Sequence, residues 1–313
     1  MKRTFGASST TDEVLEGSEL SGRRVLVTGV SAGLGVETAR ALVAHGAHVI
    51  GTARDLTKAE RACGIVREAK KRMGGSFELV QLDLADLGSV RRASDTLTAQ
   101  GHPFDLVIAN AGVMATPFER TRDGFELQFG TNVLGHFVLV NRVALSLREG
   151  GRLVMLTSSG HRVADVDLDD PNFDHTPYDP WIAYGRSKTG DALIAVAFDR
   201  RHRARGIRAT SVHPGIIRTE LSRHLDQAAM AETQSLVQHK SLPQGAATSV
   251  WAGVVADGNT VGGRYCEDCG IGDVVANDIP ISPVAGGVRP YALDPEHAEA
   301  FWKKAEQMVG ERF

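Results

Sequence analysis

The stretch Val25-Leu26-Val27-Thr28-Gly29-Val30-Ser31-Ala32-Gly33-Leu34-Gly35-Val36 decides the fold of this chain. It passes from an apolar, β-branched segment through three glycines into a segment where Val36, Thr38, Ala39, Leu42 and Val43 recur at spacings of three and four. The first part has the composition of a buried strand, and the last has the period of an amphipathic helix. Between them, Gly29 permits a sharp turn, Gly33 lets the backbone approach a ligand, and Gly35 allows the helix to pack closely on the strand. A strand, a glycine turn and a helix in that order aim backbone N–H groups and a helix N-terminus at a pyrophosphate. Gly29, Ser31, Gly33, Leu34 and Gly35 are therefore the expected contacts of a dinucleotide.

Outward from this turn, short β-branched runs alternate with longer segments of helical period. The runs are Val25–Thr28, His48–Thr52, Phe77–Leu82, Leu106–Ala109, Arg152–Leu156, Ile207–Val212 and Gly263–Cys266, seven in all. That alternation predicts an α/β protein of Rossmann type, a doubly wound parallel sheet of seven strands with helices on both faces. No linker or repeat interrupts it, so residues 21–313 read as a single domain. Four pieces lie outside the regular pattern: a polar N-terminal extension (1–20), an insert (161–180), a cover segment (216–240) and a C-terminal tail (270–313) that ends in a helix-like Pro295–Val309.

Composition narrows the partners. The 313 residues carry 35 basic and 38 acidic side chains, a net charge of -3, with no run of five or six like charges. Such a balance leaves no electrostatic footprint for nucleic acid or an anionic membrane and points to a small-molecule partner. No stretch approaches the ~18 uninterrupted apolar residues of a membrane span, and Met1 to Leu20 lacks the apolar core of a signal peptide. Three sparse cysteines fit a reducing, cytoplasmic setting. Cys266-Glu267-Asp268-Cys269 has the spacing of a redox or zinc site, but no second pair completes it, so it reads as two packing cysteines and no metal is expected. The 34 glycines, about 11% against a usual ~7%, suit many tight turns near a ligand.

The end of the second run, Gly51-Thr52-Ala53-Arg54-Asp55, is where the ribose 2′ position of a dinucleotide is read. Arg54 facing it favours NADP through a planar fork that fits a phosphate, whereas Asp55 there favours NAD. Arg54 stands nearer the strand end, so NADP is the expected cofactor and NAD the alternative.

Chemistry concentrates in two later stretches. In Trp181-Ile182-Ala183-Tyr184-Gly185-Arg186-Ser187-Lys188, Tyr184 and Lys188 are four apart and share a helix face. An ammonium there stabilises a phenolate, which suits Tyr184 to act as general acid or base on an alcohol/carbonyl pair. Ahead of it, the fifth run ends in Leu156-Thr157-Ser158-Ser159-Gly160 at the carboxyl edge of the sheet, where ligands bind. A serine hydroxyl there can donate to a developing alkoxide. Register from Arg152 favours Ser158, with Ser159 as the neighbouring alternative. His161 borders the same region.

Taken together, these motifs resemble the short-chain dehydrogenase/reductase family. They are the turn at Thr28–Gly35, Asp83, Asn110-Ala111-Gly112, Thr131-Asn132-Val133, Ser158, Tyr184 with Lys188, and His213-Pro214-Gly215, in the family's order over residues 23 to 221. Ser158-Ser159-Gly160-His161-Arg162, the insert and the Trp-x-x-Tyr-Gly-x-Ser-Lys string are most similar to the retinol-dehydrogenase-like and WW-domain-oxidoreductase-like members. One departure is Ala109-Asn110-Ala111-Gly112 where the family has Asn-Asn-Ala-Gly.

The resemblance implies that Tyr184 is the proton donor and acceptor and that Lys188 assists it while binding the nicotinamide ribose. It implies that Ser158 polarises the substrate oxygen and that Asn132 holds a water connecting Lys188 to solvent. Asp83 and Leu84 would meet the adenine, Asn110, Ala111 and Gly112 would steady the cofactor region, and Pro214, Gly215, Ile217 and Thr219 would flank the carboxamide. Phe173, Tyr178 and Trp181 of the insert and Leu221, Leu225 and Met230 of the cover segment suggest a bulky apolar or aromatic alcohol or ketone. A non-catalytic NADP-sensing protein is the rival reading, and the presence of Asn132, Ser158, Tyr184 and Lys188 together argues against it. By the same resemblance, the helices of Asn132 and Tyr184 are where a homo-oligomer would pair.

Overall fold

A computed structural model describes residues 4–99, 101–224, 239–282 and 286–313. Its strands are β1 (Arg24–Thr28), β2 (His48–Ala53), β3 (Ser76–Gln81), β4 (Phe104–Ala109), β5 (Leu147–Leu156), β6 (Arg208–His213), β7 (Tyr265–Glu267) and β8 (Gly270–Ile271). They form one sheet in the order β3-β2-β1-β4-β5-β6-β7-β8. The first seven run parallel, and β8 pairs antiparallel with β7.

The sheet is thus doubly wound as expected, but it has eight strands rather than seven. The additional strand is two residues long, too short for any periodicity to register. It exists because Asp268 and Cys269 both adopt left-handed backbone conformations, φ 51° and 55°, and fold the chain back on β7 in a tight hairpin. Strand β5 also begins five residues earlier than its apolar run, because Leu147 already pairs with β4 before the chain bulges out of the core at Arg148, Glu149 and Gly150, the last with φ 76°.

The helices are α1 (Thr11–Leu15), α2 (Gly33–Ala44), α3 (Leu56–Ala62), α4 (Gly64–Met73), α5 (Leu87–Ala99), α6 (Gly135–Ala144), α7 (Pro180–His202), α8 (Leu242–Val250), α9 (Gly258–Val261) and α10 (Pro295–Val309). Alternate strand residues feed two cores, as the two-residue period of a strand requires. Leu26, Ile50, Val107, Leu153 and Met155 face α5, α6, α7 and α10. Val25, Val27, Val49, Ile108 and Val154 face α1, α2, α4 and α8. Leu26 is fully buried, and truncating such a side chain to alanine costs about 2–5 kcal/mol.

The chain leaves β1 for β2 and β3 on one side and returns to β4 on the other. This reversal opens a crevice at the carboxyl ends of β1 and β4, the place where open α/β sheets bind their ligands. The N-terminal segment lies outside the sheet, yet it is packed: α1 buries Val14 and Leu15 against the second core. No described helix is long and apolar enough to cross a membrane.

Candidate active site

A cleft of about 1150 Å³ runs along the carboxyl edge of the sheet. At one end is the glycine turn. Gly29 has φ 77°, and a Cβ there would lie 2.8 Å from Ala111 Cα, so both the turn and the approach of the β4 loop need glycine. Ser31, Gly33 and Leu34 line the cleft where α2 begins. Gly35 does not line it. It sits behind the turn, where a Cβ would meet the Gly29 carbonyl oxygen at 2.3 Å.

The turn is tied to β4 by a small network. Asn110 Nδ2 donates to the Thr28 carbonyl at 2.8 Å, while the backbone N–H groups of Asn110 and Ala111 both donate to Thr28 Oγ1 at 2.9 Å. With its lone pairs taken, the Thr28 hydroxyl donates to His136 Nε2, 2.9 Å away. That fixes the ring as the Nδ1–H tautomer, which donates to the Asn132 carbonyl at 2.8 Å. Burial, against the hydrogen bond to Asn132, brings the His136 pKa down to about 4, so the ring is neutral at working pH.

Beyond β2 the neighbours Arg54 and Asp55 separate. Asp55 is the N-cap of α3, its carboxylate accepting the Lys58 N–H at 2.9 Å. Arg54 also lines the cleft, is exposed, and its guanidinium has no partner among the described residues. Lys58 lines the wall beside it and pairs with Glu220. Asp83 and Leu84 lie on the cleft as well, with Asp83 Oδ1 accepting the Ala85 N–H at 3.0 Å.

Ser158, Tyr184 and Lys188 meet at the far end. Strand β5 delivers Ser158 to the N-cap of a 3-10 turn, Ser159–Val163, where Ser158 Oγ accepts the Gly160 N–H at 3.0 Å. Gly160 is the hinge of the arrangement. A Cβ there would stand 2.7 Å from Tyr184 Cε1 and 3.4 Å from Ser158 Oγ, so its absence lets the tyrosine ring and the serine hydroxyl face one another. Ser159 also lines the cleft, but its N–H donates to His213 Nδ1 and its carbonyl accepts from Arg162, which ties its backbone to the floor.

Helix α7 carries Tyr184 and Lys188, and Asp179 caps its start by accepting from the Trp181 and Ile182 N–H groups. Tyr184 is 4% exposed, and its hydroxyl has no hydrogen-bond partner among the described residues. Lys188 Nζ lies 5.9 Å from the centre of the Tyr184 ring. It donates to the Leu156 carbonyl at 2.9 Å and to Asp191 Oδ2 at 2.8 Å.

Asn132 is not on the cleft surface. It is fully buried in a π-helical segment, Phe129–Leu134, just ahead of α6. Its side chain bridges the Val113 N–H, the Val113 carbonyl and Ser187 Oγ, all at 2.8–2.9 Å. Pro214, Gly215, Ile217 and Thr219 follow β6 along the cleft, together with Gly112. Of the six residues expected to face a substrate, Trp181 and Leu221 line the cleft. Phe173 and Tyr178 do not: they stack edge to face at 5.1 Å, with Phe173 under Arg186 and the Tyr178 hydroxyl donating to the Thr116 carbonyl. Leu225 and Met230 lie outside the described residues.

Sequence reasoning overlooked His136 and Asp191. Each stands one helical turn from a residue it had singled out, Asn132 and Lys188, and that spacing was the available signal. The Cys266 and Cys269 thiols are buried, and burial pushes both up to about 11. No cluster of metal-ligating side chains occurs among the described residues.

Comparison with known proteins places this geometry. Residues 23–229 match the family model described as short chain dehydrogenase. The chain is 41% identical over 297 residues to a Streptomyces lividans protein named "probable oxidoreductase", covering 91% of this chain and 97% of that one. It is 33% identical over 305 residues to mouse retinol dehydrogenase 14, covering 93% and 87%. With the human WW domain-containing oxidoreductase it shares 31% over 321 residues, covering 99% and 74%. Among solved structures, a short chain dehydrogenase from Burkholderia cenocepacia in complex with NADP is similar at TM-score 0.65 and 28% identity, covering 81% of this chain and 99% of that one. A Mycobacterium paratuberculosis protein is similar at TM-score 0.74 and 30% identity over 99% of each chain.

Proposed function

The chain belongs to the short-chain dehydrogenase family, and on that premise we propose that it is an NADP(H)-preferring oxidoreductase acting on a bulky apolar or aromatic carbonyl/alcohol pair. The observation that carries the reading is one continuous cleft with the glycine turn and Arg54 at one end and Ser158, Tyr184 and Lys188 at the other. Its volume, about 1150 Å³, exceeds the ~300–1,000 Å³ typical of a single drug-sized ligand and suits a dinucleotide with a substrate beside it.

The residues present fit such a cofactor. The N-terminus of the twelve-residue α2 opens beside Ser31, Gly33 and Leu34, where backbone N–H groups favour an anion. Arg54 offers an uncommitted fork for a 2′-phosphate, and Asp55 is occupied as a helix cap. Asp83 and Leu84 would border the adenine, and Pro214, Gly215, Ile217 and Thr219 the nicotinamide end. When bound, the nicotinamide supplies or accepts the hydride.

Within the chain, Ser158 orients the substrate oxygen by donating its hydroxyl hydrogen, since its lone pair already accepts from Gly160. Tyr184 gives a proton to that oxygen during reduction and takes it back during oxidation. Lys188 supplies the positive charge beneath Tyr184, and Asn132 acts from behind, holding the Val113 loop and Ser187. Trp181, Val163 and Ile281 make the mouth apolar, which is why we infer a bulky apolar substrate. Buried, unpaired thiols accord with a cytoplasmic location.

The test is NADPH oxidation with a panel of aliphatic and aromatic ketones, run on wild type and Tyr184→Phe. Loss of a general acid should lower kcat by about 10²–10⁴-fold while the Kd for NADPH stays within about threefold. Undiminished turnover in the variant removes Tyr184 from the mechanism. Tight NADPH binding with no turnover anywhere on the panel replaces the enzyme by a nucleotide sensor.

A further inference from the structure

Asp191 stands three residues beyond Lys188 on α7 and has no part in the mechanism above. Its side chain is 1% exposed and its Oδ2 is 2.8 Å from Lys188 Nζ, while Oδ1 is buried without a hydrogen-bond partner. The ammonium has three hydrogens; Asp191 and the Leu156 carbonyl hold two of them. A buried ion pair is weak evidence of a stabilising device, because apolar residues of similar volume often serve as well or better. An oxygen left unsatisfied in the interior makes a purely structural role costlier still.

The charges around the pair are few. Tyr184 lies on the same helix, and His136, kept neutral, faces Lys188 from α6. His161, with Arg162 beside it, meets α7 through Thr189, Tyr265 of β7 packs on Ala192, and α10 reaches this part of α7 through Phe301 near Gly190. Burial pushes the Asp191 carboxyl up to about 6 against the pull of Lys188. Burial also works against the Lys188 ammonium, yet Asp191 and Tyr184 outweigh it and hold the group above its ordinary value.

We propose that Asp191 is a positioning residue that keeps Tyr184 in the protonated form from which carbonyl reduction draws its proton: it seats the Lys188 ammonium and opposes negative charge on the Tyr184 oxygen. The inference rests on Tyr184 and Lys188 acting as proposed above. With Asp191 ionised, the trio of Asp191, Lys188 and neutral Tyr184 carries no net charge, and ionising Tyr184 brings it to one negative. With a neutral residue at 191, the same step takes the trio from one positive to none. In a buried site the second change is the easier one.

The experiment is the pH profile of kcat/KM for NADPH-dependent ketone reduction in wild type, Asp191→Asn and Asp191→Glu. In Asp191→Asn the alkaline limb should move down by about one pH unit, a tenfold loss of activity on that limb, with KM for NADPH within about twofold. Asp191→Glu, which keeps the charge, should retain the wild-type limb. A folded Asp191→Asn whose limb is unmoved or displaced upward overturns the proposal. Asp191→Ser is the second neutral variant, and failure of both neutral variants to fold assigns the residue a structural role only and overturns it too. Tyr184→Phe separates the two levels: if that variant keeps turnover, the mechanism itself has failed; if it is dead and the Asp191→Asn limb is unmoved, only this inference has.

Discussion

Arg54 and Asp55 are adjacent, equally exposed to the cleft wall and opposite in charge, and the structure divides their tasks. Asp55 spends its carboxylate on the first turn of α3, and Arg54 is left on the cleft without a side-chain partner among the described residues, free for the 2′-phosphate proposed above. A charge-assisted contact to a phosphate contributes about 1.5–3 kcal/mol. Arg54→Ala should therefore weaken NADPH binding by roughly tenfold or more and leave NADH binding unchanged, as read by fluorescence titration of both cofactors. Equal effects on the two, or none, would remove Arg54 from 2′-phosphate recognition. Sequence alone narrowed the choice to these two residues, because the position is defined by distance from the glycine turn. What it did not contain was the capping bond, which depends on where α3 begins.

At the scale of elements, the central strands were legible because a parallel sheet covered on both faces makes each a short continuous apolar run. The middle of α7 was legible only in part: Lys188 was marked by its spacing from Tyr184, whereas Asp191, one turn further on, looks like an ordinary solvent-facing acid. The helix is enclosed by the sheet and α10, so even its polar residues are buried, and enclosure is a property of the assembly rather than of the segment. The N-terminal extension shows the same effect. Its composition is polar, yet a capping box between Thr10 and Glu13 starts α1 and Leu15 is fully buried beneath it. Thr11 then donates to Glu37 of α2 at 2.5 Å, and Arg40 joins Glu37 and Asp12 at 2.7 and 2.9 Å. This short helix thereby braces the helix whose N-terminus opens on the cleft. Leu15→Ala should cost about 2–5 kcal/mol, a fall in Tm on the order of 5–10 °C for a domain of this size, with kcat at 25 °C within about twofold. A Tm within about 1 °C of wild type would show that α1 does not share the core.

For the whole molecule, the decisive feature is that three neutral histidines are built into the floor of the cleft. His136 links the glycine turn to the π-helical segment, and His161 and His213 anchor the Ser158-Ser159 loop: His161 Nδ1 donates to the Ser158 carbonyl, and His213 Nδ1 accepts the Ser159 N–H. Burial brings His136 and His161 down to about 4, and burial, with the nearby His161 ring and the Lys240 and Arg162 cations, brings His213 to about 3. Unfolded histidines titrate near 6.5, so below that pH the unfolded chain binds protons that the folded chain refuses. Depressed values of this kind give stability that is complete above about pH 6.5 and is lost as pH falls toward 4 and below. Each such group accounts for at most about 3–5 kcal/mol. Asp191, Glu126 and Glu267 have the opposite sign, since burial raises their carboxyls and the folded state takes up those protons first. The lowered carboxyls of Asp86, Asp170, Asp257 and Asp294, however, act in the same direction as the histidines. Tm should consequently fall steeply between about pH 6.5 and pH 4, and saturating NADPH, which binds the folded form, should move the fall to lower pH. His136→Gln should reduce the slope by about one proton, roughly 1.4 kcal/mol per pH unit. A Tm that is flat across that interval would mean that the three rings charge without disturbing the fold. The cleft floor, in that case, is not what limits the molecule in acid.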